Sequence, residues 1–183
     1  FTYLHLAPDP VQTQALIESK AICIAYETVT SSSGALPLLA PMSEVAGRMS
    51  IQAGAAHLEK SKGGSGLLLG GIPGVAAAKV LILGAGVVGR HALQIAVGMG
   101  AHVSIMDRDL DRLRQIDALY GNRVQTLFSD QQSIENAVRE SDLVIGAVLL
   151  PGNNWPAAVA AIANTINRCP AIAPYQTALH RLT

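Results

Sequence analysis

The chain has 183 residues, half of them hydrophobic, and carries 13 basic side chains against 13 acidic ones. A length of this order holds one large domain or one domain with part of another, and so apolar a composition supports a substantial core. Balanced charge without a basic cluster excludes nucleic acid and anionic membrane surfaces as main partners, since both require clustered Lys and Arg.

Residues 1–7, FTYLHLA, alternate large and small side chains and predict a strand with Phe1, Tyr3 and His5 on one face. His5 falls at its carboxyl end, where α/β sheets present ligand-facing groups; position alone reads it as a satisfied sheet histidine sooner than a catalyst. Asp9 as N-cap and Pro10 as first helical residue open a helix to about Lys20. Residues 21–26, AICIAY, form the continuous apolar run expected of a buried parallel strand, which completes a β-α-β unit. Serines, Gly34, Pro37 and Pro41 make residues 28–41 a loop. A helix follows over residues 42–60, with Val45, Met49, Ala53 and Ala56 as its apolar face and Ser43 as a candidate cap. Its small residues Gly47, Ala53, Gly54 and Ala55 leave room for another helix or a cofactor to approach the backbone.

Residues 62–74, KGGSGLLLGGIPG, lack the Gly-Lys-Ser/Thr ending of a nucleoside-triphosphate loop and read as a connection into the next strand. That strand, residues 79–83, leads straight into Gly84-Ala85-Gly86-Val87-Val88-Gly89, a helix to about Val97, and a second apolar run ending on Asp107. Each piece suits a dinucleotide. Gly84 makes the tight turn, Gly86 lets the backbone approach a pyrophosphate, and Gly89 lets the helix pack close to the strand. The unpaired amides at the helix start face the phosphates. Asp107, 23 residues after Gly84, stands where a carboxylate accepts hydrogen bonds from both ribose hydroxyls. A helix over 110–120, a strand over 123–128, a helix over 131–139 and a strand over 142–150 complete four strands joined by three helices, the doubly wound parallel pattern. Beyond Gly152 a turn at Asn153-Asn154-Trp155-Pro156 and an alanine-rich stretch, residues 157–164, supply no convincing further strand.

The remaining chemistry is sparse. Cys23 and Cys169 offer neither a disulfide framework nor a paired-thiol metal spacing, and reduced thiols in a cytoplasm are expected. His5, His57, His91, His102 and His180 are scattered without ligand spacing, so no metal is expected. Every long apolar stretch is interrupted before about 18 residues, which predicts a soluble chain without a spanning helix. Phe1 stands inside an expected strand with no signal peptide before it, as if the chain began in mid-fold.

Several stretches taken together, FTYLHLA, AICIAYETV, LPLLAPMSEVAGRMS, LLLGGIPGV, KVLILGAGVVG and DLVIGAVLLPG, resemble the alanine dehydrogenase family. The resemblance covers residues 1–152, and it is weaker toward the related alpha subunit of nicotinamide nucleotide transhydrogenase. It implies a Rossmann-type NAD-binding domain beside the end of a second α/β substrate domain. The implied activity is oxidative deamination of L-alanine to pyruvate and ammonia with reduction of NAD, in a homo-oligomer. It implies that His5 is the catalytic histidine, reversing the reading from position alone. Ser43 would touch the cofactor, Val87 and Val88 would cover the pyrophosphate, and Asp107 would hold the ribose. Ser129 would lie beside the adenine, and Val148 and Leu149 would line the cofactor. Arg112 would stand near the ribose, although a solvated helix face explains it equally well.

The departures are equally specific. The family carries about a hundred residues of substrate domain ahead of this point, on the usual domain scale, including an Arg and a Lys that clamp the substrate carboxylate. It also continues into a VDVAVDQGG-like strand with a catalytic Asp, and no such stretch is present. The expectation is a fragment or the product of a disrupted gene, inactive alone. It would comprise a substrate-domain remnant (1–41), a linking helix (42–61), an NAD-binding domain (62–152) and a divergent tail (153–183). The competing readings are a nucleotide-binding module without turnover and a transhydrogenase alpha-subunit-like domain.

Overall fold

The structure is a computed structural model and describes residues 1–148. The strand expected to end at residue 150 ends earlier, at Gly146; Leu149 and the tail from Gly152 lie outside the described residues. A parallel sheet organises the fold: β1 (Lys79–Leu83), β2 (His102–Asp107), β3 (Val124–Phe128) and β4 (Leu143–Gly146), in the order β3-β2-β1-β4. The connecting helices are α3 (Val87–Gly98), α4 (Leu110–Tyr120) and α5 (Gln131–Glu140). Ahead of them come α1 (Pro10–Ser19) and α2 (Ala40–His57).

Period-2 side-chain alternation explains why these strands read as unbroken apolar runs. Val80 and Ile82 of β1, Val103 and Ile105 of β2, and Leu143 and Ile145 of β4 join one buried cluster with Leu93 of α3, Ile116 of α4 and Ile51 of α2. Leu81, Leu83, Met106 and Val144 face the other way, onto Val138 of α5. Helices therefore cover both faces. β1 pairs with β2 on one side and with β4 on the other, so the chain reverses its winding beside β1. In such sheets the crevice at the carboxyl ends next to that reversal is where ligands bind.

α2 joins this core by a different face from the one its apolar spacing suggested. Val45 and Met49 are exposed, and Gly47, Ile51 and Gly54 are buried. Small residues decide the packing. A Cβ on Gly47 would meet the Val88 carbonyl oxygen and the His91 Cβ, and one on Gly54 would meet Leu143 Cδ2 at 2.6 Å. A glycine stripe lets the α2 backbone settle onto α3 and β4, which outweighs burying Val45 or Met49. The helix also starts earlier than expected: Leu39 is its N-cap and Pro41 sits in the first turn, where proline is tolerated because that N–H needs no partner. Ser43 is therefore inside the helix rather than its cap, donating its backbone N–H to the Leu39 carbonyl.

The amino-terminal segment departs most from expectation. In place of two strands, a single parallel bridge pairs Thr2 with Ala25. Ile22 is 93% exposed, so the apolar run 21–26 is not a buried strand among the described residues. α1 is capped by Asp9 as expected, its side chain accepting the Gln12 N–H at 2.8 Å, yet buries none of its residues. A strand forms only where a neighbouring strand satisfies its backbone and a packed layer covers its face. Neither is supplied here beyond the single bridge.

Candidate functional site

The glycine turn follows from the strand before it. Gly84 continues the ladder by donating its N–H to the Met106 carbonyl at 2.7 Å, then takes φ +103°, a conformation that side chains with a Cβ rarely adopt. A Cβ there would also strike the Ala147 carbonyl at 2.7 Å and approach Val148 Cγ2 at 3.1 Å, so Val148 lies against the turn. Gly89 faces back onto β1, where a Cβ would overlap the Gly84 carbonyl oxygen. Gly86 is the opposite case: among the described residues, its chain neighbours aside, nothing lies within 4 Å of the position a Cβ would take. The three glycines thus do three different things, two of them allowing protein contact and one leaving space outside the protein.

Gly86 is also the N-cap of α3, and no side chain caps that end. The first intrahelical bond runs from Arg90 N–H to the Gly86 carbonyl at 3.0 Å, so the amides of Val87, Val88 and Gly89 precede the first donor of the helical ladder. Open space beside uncapped amides at the positive end of the helix fits a phosphate-bearing group.

Asp107 closes the site from the end of β2. Its Oδ2 accepts the Ala85 N–H at 2.6 Å and its Oδ1 accepts the Asp109 N–H at 2.9 Å. Arg112, from α4, stands 3.7 Å from Asp107 Oδ2 and 3.2 Å from Asp109 Oδ2. Burial alone would raise the Asp107 pKa, but the backbone donors of Asp109 and Ala85, with the Arg112 charge, more than offset it and hold the carboxyl below its usual range. A carboxylate offers about four acceptor sites, so ribose hydroxyls can still be received beside these bonds. A depressed folded-state pKa means a stability contribution present above the unfolded value and lost as pH falls through the folded one. We therefore expect the Asp107 carboxyl carbon to titrate, by NMR, below the ordinary midpoint of about 3.9. Part of the acid lability of the fold should disappear in Asp107→Asn; an ordinary midpoint would contradict the tether to the turn.

Ser129 follows β3 and donates its N–H to the Asp107 carbonyl at 3.0 Å, which brings it to the same edge of the crevice. Ser43 arrives differently, on the first turns of α2, where Gly47 crosses the start of α3. The carboxyl end of the sheet thus gathers Gly84, Gly86, Val87, Val88, Gly89, Asp107, Arg112, Ser129 and Val148, with Ser43 on the adjoining helix. His5 is not joined to this group by any described hydrogen bond, ion pair or ring contact.

His5 occupies a site of its own making. Its φ is +46°, a left-handed conformation in which histidine is among the enriched side chains, rather than the extended backbone expected of a strand end. Glu27 holds the bend: its Oε1 accepts the N–H of His5 at 2.7 Å and of Leu4 at 3.1 Å. Burial would raise the Glu27 pKa, but those donors and the nearby His5 lower it on balance. The Tyr3 ring stacks on the imidazole with centroids 5.6 Å apart, its hydroxyl 3.1 Å from Nδ1. Sequence reading missed Glu27, because an acid after an apolar run carries no signal of the turn it closes. It also missed the Ala85 amide, although its place between Gly84 and Gly86, beside the acid that ends β2, could have suggested the tether.

Among the described residues no group of His, Cys, Asp and Glu could hold a metal, and no helix is long and apolar enough to cross a membrane. The profile of the alanine dehydrogenase/PNT C-terminal domain matches residues 50–163, and that of the N-terminal domain of the same family matches residues 1–46. The chain belongs to the alanine dehydrogenase/PNT family. That family match runs past the sheet into the stretch where the resemblance read from the sequence stopped. Alanine dehydrogenase of Halomonas elongata is 56% identical over 156 residues, 85% of this chain and 42% of that protein. The Geobacillus stearothermophilus alanine dehydrogenase is 57% identical over 152 residues, 83% of this chain and 41% of its own length. A solved L-alanine dehydrogenase superposes with a TM-score of 0.77 at 53% identity, covering 84% of this chain and 42% of that one. The transhydrogenase of Sinorhizobium meliloti shares the fold, with a TM-score of 0.63 at 19% identity over 82% of this chain and 44% of its own. The chain therefore spans less than half the length of these relatives and shares with them a Rossmann-type fold.

Proposed function

We propose that the chain supplies the NAD-binding core and the proton-exchanging histidine of an NAD-dependent alanine dehydrogenase. The observation that carries the reading is the open space at Gly86 beside uncapped α3 amides, closed by an Asp107 carboxylate tied to the same turn. Identities above half with proteins named alanine dehydrogenase, across both domain segments, support the choice of amino acid. Residues 1–41 belong in this reading to the substrate domain, 42–61, which hold most of α2, to the link, and 62–152 to the nucleotide domain.

The nicotinamide of NAD supplies the hydride acceptor for oxidation at the α-carbon of alanine. The amides of Val87 and Val88 bind the pyrophosphate, and the absence of a side chain at Gly86 lets it reach them. Asp107 accepts from the ribose hydroxyls, with Arg112 alongside it. Ser129 borders the adenine, Ser43 contacts the cofactor from α2, and Val148 lines its course. His5 exchanges protons with the substrate as water replaces the amino group, a task matched to imidazole near neutral pH. With Nδ1 turned to the Tyr3 hydroxyl, Nε2 is the nitrogen that serves. Glu27 holds the His5 backbone in place for it.

Two measurements test this. NADH should bind at least about tenfold tighter than NADPH, because a 2′-phosphate beside Asp107 sets like charges together. Arg112 is already shared between Asp107 and Asp109, which limits its use as a phosphate partner. Tighter NADPH binding in a fluorescence titration would refute the assignment of Asp107. Appearance of NADH on adding alanine, with the rest of the family's length supplied as a second polypeptide, separates the enzyme from a binding module. Cofactor binding with no turnover in that reconstituted pair would favour the module.

A further inference from the structure

Behind the first turn of α3, four polar side chains join it to α2. Arg48 donates from Nε to His91 Nδ1 at 3.3 Å and from a terminal nitrogen to Gln94 Oε1 at 3.2 Å. Glu44 Oε1 stands 3.9 Å from His91 Nε2. Glu44 and Arg48 are one helical turn apart and bracket Gly47, on which the two helices cross. At the same crossing Gly47, one turn after Ser43 on α2, lies against the Val88 carbonyl.

We propose that Arg48 and His91 are positioning residues for the dinucleotide, and that they couple its affinity to a proton on His91; this rests on the cofactor site assigned above. Arg48 can donate to Nδ1 only if that nitrogen is unprotonated, which puts the proton of the neutral ring on Nε2, toward Glu44. A second proton makes Nδ1 a donor facing a guanidinium, and that bond is lost. The charged ring pairs with Glu44 instead, so His91 exchanges a partner on α2 for one a turn nearer its amino end. Among the described residues, Glu44 and Arg48 are the charged groups from α2 that face His91, with Gln94 beside it on α3. Because Glu44 offsets the new charge, the phosphates gain little from it. That exchange replaces a 3.3 Å hydrogen bond by a 3.9 Å pair and weakens the hold of α2 on the first turn of α3 at the Gly47 crossing, so affinity falls on acidification.

The test is the NADH dissociation constant of the full chain at about pH 5.5 and about pH 8, an interval in which histidines ordinarily titrate. Wild type should bind about three- to tenfold more weakly at the acid end, the worth of one or two hydrogen bonds. In His91→Asn an amide oxygen takes the place of Nδ1, and the alkaline affinity should persist at both pH values. Arg48→Met should show the weaker affinity at both. A general loss of stability would not produce a pH dependence that the asparagine removes. Equal pH dependence in wild type and His91→Asn, or wild-type affinity in Arg48→Met, would overturn the coupling while leaving the cofactor site standing. No NADH binding by wild type at either pH would instead overturn the site itself, and the coupling with it.

Discussion

Gly86→Val should eliminate measurable NADH binding while the chain keeps its fold. The backbone at Gly86, φ −73° and ψ −162°, is extended and open to any L-residue, and among the described residues no atom beyond its chain neighbours lies within 4 Å of the new Cβ. The folded chain therefore receives the side chain without a clash. The only expected cost is the poor N-cap that valine makes at the start of α3, about 1 kcal/mol. The space it fills is the space the proposed site gives a pyrophosphate in front of the Val87 and Val88 amides, and a β-branched side chain is stiff about χ1 there. Circular dichroism and thermal unfolding should remain near wild type, and fluorescence titration should show no saturation. A variant that bound NADH as tightly as wild type would assign the glycine turn a structural role alone.

Two glycines of α3 should respond to alanine with opposite signs. Helix propensity alone favours alanine over glycine by about 1 kcal/mol in a helix interior. At Gly98, the last residue of α3, no described residue beyond its chain neighbours lies within 4 Å of a new Cβ, so Gly98→Ala should stabilise the chain by about 0.5 kcal/mol, less than an interior site would give. At Gly89 the same methyl would overlap the Gly84 carbonyl oxygen and press on Ile82 Cγ2 at 3.4 Å. A carbonyl inside the tight turn cannot rotate away as a side-chain tip could, and the methyl would drive α3 off β1. Overpacking of this kind costs about 3 kcal/mol, which exceeds the propensity gain. The loss should extend to NADH binding, because the displaced helix carries the amides proposed to hold the pyrophosphate. Denaturant midpoints of the two variants decide the matter, and a stable, fully binding Gly89→Ala would mean that α3 stands off the strand.

The sheet was legible in the sequence because its signals are local. Apolar runs of strand length, each followed by a helix-period segment, leave few arrangements once parallel neighbours and right-handed crossovers are required. The element bounds of α3, β2, α4 and β3 fall within a residue or so of expectation. The glycine turn was legible for the same reason, since Gly84, Gly86 and Gly89 are spaced by the geometry of one strand-to-helix turn.

What the sequence by itself determined, then, is the order of elements from β1 onward, the parallel sheet and the glycine turn between β1 and α3. Tertiary structure alone decided which face of α2 is buried. Apolar spacing favoured Val45 and Met49, but backbone contact through Gly47 and Gly54 depends on residues of α3 and β4 dozens of positions away. Only the folded chain shows Asp107 tied to Ala85, or Glu27 holding the His5 backbone at positive φ, since each joins groups more than 20 residues apart. The run 21–26 has the composition of a buried strand, but composition sets a preference and burial needs a partner surface; among the described residues Ile22 meets none and remains 93% exposed.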